Sequence, residues 1–427
     1  MDFIKNIYTL IKCINIIGFY WVKNIIVYDE AKTRSNIKKC LKKIGYENRI
    51  FIKLFQALSY NKKNTNKILG EELAEYTDNV PYTQAEFEHC LSHIPSHVIL
   101  TNNSKPVASG LISLIFEGYM RNEFGIDDEE IKPYANNETL IFKVKRPLIF
   151  ENLTQDLKQI KYLINSVSYL PLFKFLHLKD MYSENISSIL DQTDFLQEIE
   201  YIKKFTLNNQ NIDYIKIPEL VLSYCSSVCI VMKKLIGKKN NVLSIEEKTE
   251  YLPNLSKFII KSLLFDGLYH GDLHAGNILF LENNKIGILD FGIIGELTRE
   301  EQNDYFNFFN HLKDENINEL INHLLEKLVE PNNPSVNNNI TSREIINLKN
   351  TLNLNLRIIV ESKRNLNADD IILINGILLP YNLKLKKSFA KIELSMGVSE
   401  SLISSMTIDN NYLQFIINSI ETLFPII

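Results

Sequence analysis

The sequence predicts an α+β fold in two lobes, the first built around a small sheet and the second mainly helical. Three observations predict it. Apolar, β-prone residues surround Lys143 in the segment 140–147, which is typical of a half-buried strand. The segments 278–281 and 285–289 indicate two short strands that a Glu-Asn-Asn turn joins. After Gly295 the pattern is helical.

Two aspartate-containing loops enclose this hairpin. Asp272 and Asn277 have the Asp-x-x-x-x-Asn spacing of a kinase catalytic loop, and Asp290-Phe291-Gly292 begins eighteen residues after Asp272. Mg²⁺ prefers oxygen ligands, so Asn277 and Asp290 are the candidate metal ligands. Asp272 is the candidate catalytic base, or the residue that orients the attacking hydroxyl or water. The pattern predicts a site that handles the phosphates of ATP with Mg²⁺ in a protein-kinase-like fold.

A kinase site also needs a strand lysine on the α and β phosphates and a helix glutamate that pairs with it. Lys143 is the candidate lysine. The segment 193–202 begins with a helix cap and continues with helical periodicity. We choose Glu198 on this helix as the partner of Lys143, and Glu200 is the alternative that periodicity leaves open.

No glycine-rich loop precedes Lys143. Ala108, Ser109 and Gly110 stand in its place at the start of a predicted strand. Small residues leave room for backbone amides to approach phosphate, so we predict that these three residues bind the nucleotide. The alternative is a tight turn before a core strand.

The order of these elements resembles the UbiB/aarF family of atypical kinases from about residue 40 to residue 330. Besides the two aspartate loops, the resemblance rests on 51–59, similar to the family's Lys-x-Gly-Gln signature, on 73–75 with 78–81, on 108–110, on 143–147, and on 217–218 leading to 232–234. Phe55 replaces the glycine of the signature.

The resemblance implies an N-terminal helical extension packed on the active site, with Lys53 and Gln56 on a helix folded over it. Met232 then belongs to the linker between the lobes and contacts the nucleotide. ATP and Mg²⁺ are the implied cofactors. Such a covered site favours ATP hydrolysis, or phosphorylation of a small or lipid-like acceptor, over phosphorylation of a peptide.

Other functions share part of the pattern. The His-Gly-Asp-Leu-His-x-Gly-Asn loop is also that of small-molecule phosphotransferases of the aminoglycoside and choline kinase type. A catalytically inactive nucleotide-binding scaffold is a further alternative. An ordinary protein kinase is the least favoured, because no Ala-Pro-Glu follows Asp290. Since every core ionic residue is present, we expect a competent enzyme.

Composition indicates which partners and which cellular compartment the chain fits. The formal net charge of −4 and the lack of a basic stripe with interleaved aromatics argue against a nucleic-acid role. The five scattered cysteines fit an intracellular reducing compartment. His89, Cys90, His93 and His97 lie close in sequence, but no second ligand pair is evident, so we interpret them as structural.

The apolar segment 3–28 is interrupted by lysines and shows no clear targeting signal. Two interpretations remain: a helix packed on the core, which we favour, or an amphipathic helix on a membrane surface. The expected location is therefore cytoplasmic or peripheral to a membrane. We divide the chain into an extension (1–100), a small lobe (101–232) and a large lobe (233–427), which the apolar segment 412–427 caps.

Overall fold

The computed structural model describes residues 2–26, 29–53, 68–69, 72–73, 79–120, 138–167, 189–336, 340–361, 368–407 and 412–423. The chain forms two compact units, one of Met1–Ile202 with Pro218–Lys234 and one of Lys203–Ile217 with Leu235–Ile427. Helices alternate with small sheets, which confirms the predicted α+β class. The division into three domains stays a prediction.

The helices of the described residues are α1 (Asp2–Ile26), α2 (Glu30–Glu47), α3 (Gln84–Ser92), α4 (Ile149–Val167), α5 (Phe195–Asn209), α6 (Ile245–Thr249), α7 (Leu252–Ile260), α8 (Arg299–Lys313), α9 (Ile317–His323), α10 (Ser342–Glu361), α11 (Ala368–Leu378), α12 (Lys387–Ser404) and α13 (Tyr412–Leu423). Capping boxes at Thr83 and Thr298 begin α3 and α8, each with a glutamate three residues later.

The strands are β1 (Val98–Leu100), β2 (Ala108–Ser109), β3 (Ser113–Met120), β4 (Leu140–Lys145), β5 (Ile215–Lys216), β6 (Cys229–Lys233), β7 (Leu268–His270), β8 (Ile278–Phe280), β9 (Ile286–Ile288), β10 (Ile294–Glu296), β11 (Val329–Pro331) and β12 (Leu383–Leu385).

The sheet of the first unit has the order β1-β3-β4-β6, and β2 pairs with the start of β3. All its pairs are antiparallel. Leu114, Phe116, Leu140, Phe142 and Val144 are fully buried in the core on which Cys90 of α3 also packs. Alternation along β4 places Lys143 and Lys145 on the face opposite to this core.

The N-terminal helices pack on the same unit. One side of α1 contacts α2 and α4. Ile50 and Ile52, in the helical turn after α2, share a core cluster with Leu111 and with residues of α4. The extension therefore packs beside the 108–110 turn, through aliphatic contacts.

In the second unit the strands β7 to β10 lie between α7 and α8 along the chain. β7 pairs with β10, and β9 lies between β5 and β8. Tyr305, Phe308 and Phe309 of α8 pack with Phe389 of α12 in one aromatic cluster. The Tyr305 hydroxyl donates to the fully buried carboxylate of Glu393. Among the described residues, no helix is long and apolar enough to cross a membrane.

Candidate active site

Lys143 forms an ion pair with Glu198 in the first unit. Lys143 Nζ lies 2.6 Å from Glu198 Oε1, and the two side chains are 11% and 1% exposed. Lys143 stands in the middle of β4, and Glu198 lies in the first turn of α5. Because Glu200 is exposed on the same helix, burial separates the two candidates that periodicity left open.

Phe195 supports this pair from the first residue of α5. Its buried ring lies 5.6 Å from Lys143 Nζ and 4.8 Å from Lys145 Nζ. Burial lowers the pKa of Lys145, whereas Asp194 and Glu198 raise it. Two lysines on one strand face therefore lie near the same aromatic ring, and the Glu198 carboxylate acts on both.

The turn of Ala108, Ser109 and Gly110 is held by Arg146. Ala108 and Ser109 form β2, and the amide of Gly110 donates to Ser113 O at 3.0 Å. The Ser109 hydroxyl donates to Val80 O, and Arg146 Nη2 donates to that hydroxyl at 2.8 Å. The Ser109 side chain and the Gly110 amide thus already have partners within the protein, and phosphate contact by this turn stays a prediction.

The Arg146 side chain is 5% exposed, and its guanidinium forms hydrogen bonds with three separate segments of the first unit. It donates to the carbonyl oxygens of Val80, Pro81 and Gly110, and to Glu86 Oε1 at 3.3 Å. In the sequence, Arg146 stands out only as part of the 143–147 segment that resembles the family. The sequence around Arg146 does not predict these hydrogen bonds, because its partners lie 36 to 66 residues away.

Two of the three other residues predicted to contact the nucleotide, Met232 and Lys53, lie within the described residues. Met232 lies in β6, where it pairs with Ile141. The first unit ends at Lys234, two residues after Met232, and contact of Met232 with the nucleotide stays a prediction. Lys53 ends a described helical turn and is half-buried, whereas Gln56 lies outside the described residues.

His270 links the two aspartate loops in the second unit. The Asp272 N–H donates to His270 Nδ1 at 3.2 Å, and His270 Nε2 lies 2.6 Å from Asp290 O. With Nδ1 as acceptor and Nε2 as donor, the ring is neutral. Burial lowers the pKa of His270 more than the two carboxylates raise it. One neutral imidazole therefore sets the distance between the two loops.

Asn277 forms hydrogen bonds within the loop 272–277. Its Nδ2 donates to Asp272 O at 2.9 Å, and its backbone N–H donates to His274 O. Since the amide nitrogen is the donor, the amide oxygen is the atom that can ligate a cation. Leu289 N donates to Asn277 O at 2.9 Å, which ties this loop to the strand that leads into Asp290.

Asp290 is held by the turn that follows it. Its Oδ1 accepts the N–H of Gly292 at 2.9 Å. The ring of Phe291 is fully buried, 5.1 Å from that of Phe205 on α5 and 6.0 Å from that of His270. Asp290, Asn277 and Asp272 together offer only oxygen ligands, which is the donor set that fits Mg²⁺.

Glycine at 271 is required by close packing. A Cβ there would lie 2.4 Å from Ile293 Cγ2, and the Gly271 amide donates to Ile293 O at 2.8 Å. The hairpin between the loops turns at Asn283 and Asn284, both with positive φ, and Ile278 pairs with Ile288. Asparagine tolerates this conformation better than most residues, which explains the turn that the sequence predicted.

His274 and Ser395 were not assigned a role from the sequence. His274 Nδ1 accepts the Gly276 N–H at 3.0 Å, and its Nε2 lies 3.8 Å from Asp272 Oδ2. The Ser395 hydroxyl of α12 donates to His270 O at 2.7 Å. His274 could have been found from its place between Asp272 and Asn277. Ser395 has no sequence signal, because it lies 125 residues from His270.

His89 and His93 stack with ring centroids 4.8 Å apart, and His97 Nε2 lies 2.7 Å from the Tyr224 hydroxyl. Within the described part of the chain, no group of three or more His, Cys, Asp and Glu side chains could hold a metal ion. The structural interpretation of this histidine segment stays a prediction.

Comparison with known proteins identifies the central part of the chain. Residues 133–324 match the family described as the ABC1 atypical kinase-like domain. Two relatives named probable protein kinase UbiB, from Cronobacter sakazakii and Tolumonas auensis, are 24% and 22% identical over 314 and 312 residues. Each alignment covers 69% of this chain and 54% of the relative.

An uncharacterized protein in the hydrogenase 1 5′ region of Clostridium pasteurianum is 26% identical over 308 residues, which cover 69% of this chain and 55% of that protein. The chain thus spans about half the length of the curated relatives it matches. The solved complex of Rv3197 with erythromycin from Mycobacterium tuberculosis aligns with a TM-score of 0.48 and 17% identity, over 86% of this chain and 90% of that one.

Replacing Glu198 tests whether its ion pair with Lys143 stabilises the first unit. Glu198→Gln leaves the buried ammonium of Lys143 without its anion, so we expect the free energy of unfolding to fall by about 3 kcal/mol. Glu200→Gln, an exposed change on the same helix, should cost less than about 1 kcal/mol. Urea denaturation of both variants measures the difference. Equal losses would show that the Lys143–Glu198 pair does not hold α5 in place.

Proposed function

This chain belongs to the UbiB/ABC1 family of atypical kinases, and we propose that it binds ATP with Mg²⁺ and splits off the terminal phosphoryl group. The phosphoryl acceptor is water or a small or lipid-like hydroxyl compound. The observation that supports this proposal is the set of hydrogen bonds by which His270 joins the backbone of Asp272 to that of Asp290, and Asn277 binds Asp272 O, in the second unit.

Asp272 is the proposed base. Its backbone is fixed at both ends, since its N–H donates to His270 and its carbonyl accepts from Asn277 Nδ2. Its side chain is 23% exposed, so a hydroxyl or a water molecule can reach it. The acceptor oxygen forms a bond to the γ-phosphorus while the bond to the β,γ-bridging oxygen breaks. The proton of the acceptor passes to Asp272, and ADP leaves.

Asn277 and Asp290 would hold the cation, which neutralises charge on the phosphates when it is bound. Asn277 contributes its amide oxygen, because its nitrogen is bound to Asp272 O. Asp290 contributes a carboxylate whose orientation the Gly292 N–H fixes. Both ligands are thus oriented by hydrogen bonds within their own loops, which lowers the cost of ordering them upon binding.

Lys143 is the proposed contact to the α and β phosphates. Its pairing with Glu198 holds the ammonium on the face of β4 opposite to the apolar core. A buried ion pair is on balance weak evidence for stability, because removing two charges from water is costly. The presence of this buried pair is therefore better explained by a functional need for an oriented cation.

Asp290→Asn tests the proposal directly. The change keeps the size of the side chain and removes the negative charge, so we expect Mg²⁺-dependent ATP turnover to fall about 100-fold or more. The matched control is Asp314→Asn, an exposed position after α8. Phosphate release from purified protein measures both. Turnover by Asp290→Asn at the rate of the unchanged protein would refute the proposed site.

Two substitutions of His274 test separately what its two ring nitrogens contribute to turnover. Asparagine places an acceptor near Nδ1, and glutamine places an amide near Nε2. The contact of Nδ1 with Gly276 is a hydrogen bond at 3.0 Å, whereas Nε2 is 3.8 Å from Asp272. We therefore expect His274→Asn to keep kcat within about tenfold and His274→Gln to lose more. A higher kcat for His274→Gln than for His274→Asn would instead show that the contact of Nε2 with Asp272 matters more for turnover.

A further inference from the structure

Lys145 lies on the same face of β4 as Lys143 and is nearer to the 108–110 turn. Alternation along the strand places both lysines opposite to the apolar core. Lys145 pairs with Ser113 of β3, and directly paired residues of antiparallel strands have side chains on one face. Ser113 O accepts the Gly110 N–H at 3.0 Å. The sheet thus places Lys145 beside the end of the turn that is predicted to contact phosphate.

The backbone of Lys145 is fixed, and its side chain is half-buried. The Lys145 N–H donates to Val228 O at 2.8 Å, and the carbonyl oxygen accepts from Cys90 Sγ at 3.5 Å. The ammonium lies 4.8 Å from the centroid of the Phe195 ring. Because the strand and the ring hold both ends of this side chain, the cation is oriented before any ligand binds.

The charge on this face of the strand is unbalanced. Glu198 is 1% exposed, and its carboxylate lies 2.6 Å from the Lys143 ammonium. Asp194 is exposed at the start of α5, where its Oδ1 accepts the Gln197 N–H at 3.1 Å. A partly buried cation is costly unless an anion lies next to it. Two lysines therefore stand against one buried carboxylate, and an anionic ligand would balance the charge.

Given the proposed function, on which this inference rests, we propose that Lys145 binds the phosphate chain of ATP together with Lys143. Two ammonium groups on one strand face fit a ligand that carries several negative charges in a row, as a triphosphate does. The alternative is that Lys145 only packs on Phe195. A methionine would cover that ring without the cost of removing a charge from water, so the presence of an ammonium favours an anionic ligand.

Isothermal titration calorimetry with ATP and Mg²⁺ tests the role of this charge. Lys145→Gln removes the ammonium and keeps a polar side chain, so we expect the Kd for ATP to rise about tenfold or more. Lys145→Arg keeps the positive charge, and its Kd should stay within about threefold of that of the unchanged protein. The matched control is Lys158→Gln, which removes the same charge at an exposed position of α4 and should leave the Kd unchanged.

The results separate this inference from the proposed function. A Kd for Lys145→Gln within about threefold of that of the unchanged protein overturns the inference, and so do equal losses in Lys145→Gln and Lys145→Arg. Thermal unfolding establishes that the variants are folded. Failure of the unchanged protein to bind ATP refutes the proposed function itself, and the inference falls with it.

Acetylation of lysines in the unchanged protein gives a second measurement that needs no variant. Acetic anhydride reacts with the neutral amine, and a phosphate beside Lys145 favours the charged form. We therefore expect ATP with Mg²⁺ to lower the rate of Lys145 acetylation about fivefold or more, and to leave that of Lys158 unchanged. Mass spectrometry of the digested protein measures both rates. Equal rates for Lys145 with and without bound ATP overturn the inference.

Discussion

The buried imidazole of His270 is the constraint on which the candidate site depends. It accepts the Asp272 N–H and bonds Asp290 O, so it joins two loops that are eighteen residues apart in sequence. A charged ring could not accept the Asp272 N–H, and burial keeps the ring neutral by lowering its pKa. The hydrogen bonds that join the backbones of the two loops thus depend on the tautomer of one side chain.

The support of His270 comes from three separate parts of the second unit. Ser395 of α12 binds its carbonyl oxygen, Phe291 packs on its ring, and Phe205 of α5 packs on Phe291. In the first unit Arg146 has a similar organising role, because its guanidinium joins the 108–110 turn to Val80 and Pro81. In each unit, one buried polar side chain, His270 or Arg146, thus forms hydrogen bonds that join segments far apart in sequence.

The sequence predicted what is local. The hairpin after Asn277, the strand around Lys143 and the helix that carries Glu198 each depend on short-range periodicity or turn residues, and the structure has all three. It predicted less well what depends on distant contacts. The pairing of Met232 with Ile141 is one example, because the two residues are 91 positions apart in the sequence. Arg146 and Ser395 act on segments far away in sequence, which no local pattern reveals.

We propose that Asn277 and Asp290 ligate the cation of a bound nucleotide. Diffraction from crystals grown with a non-hydrolysable ATP analogue and Mn²⁺ in place of Mg²⁺ tests it most directly, because Mn²⁺ scatters anomalously. We expect an anomalous peak about 2.2 Å from oxygens of both side chains, close to the distances that Mg²⁺ takes in proteins. A nucleotide bound with its metal away from both residues, or no bound nucleotide at all, would contradict it.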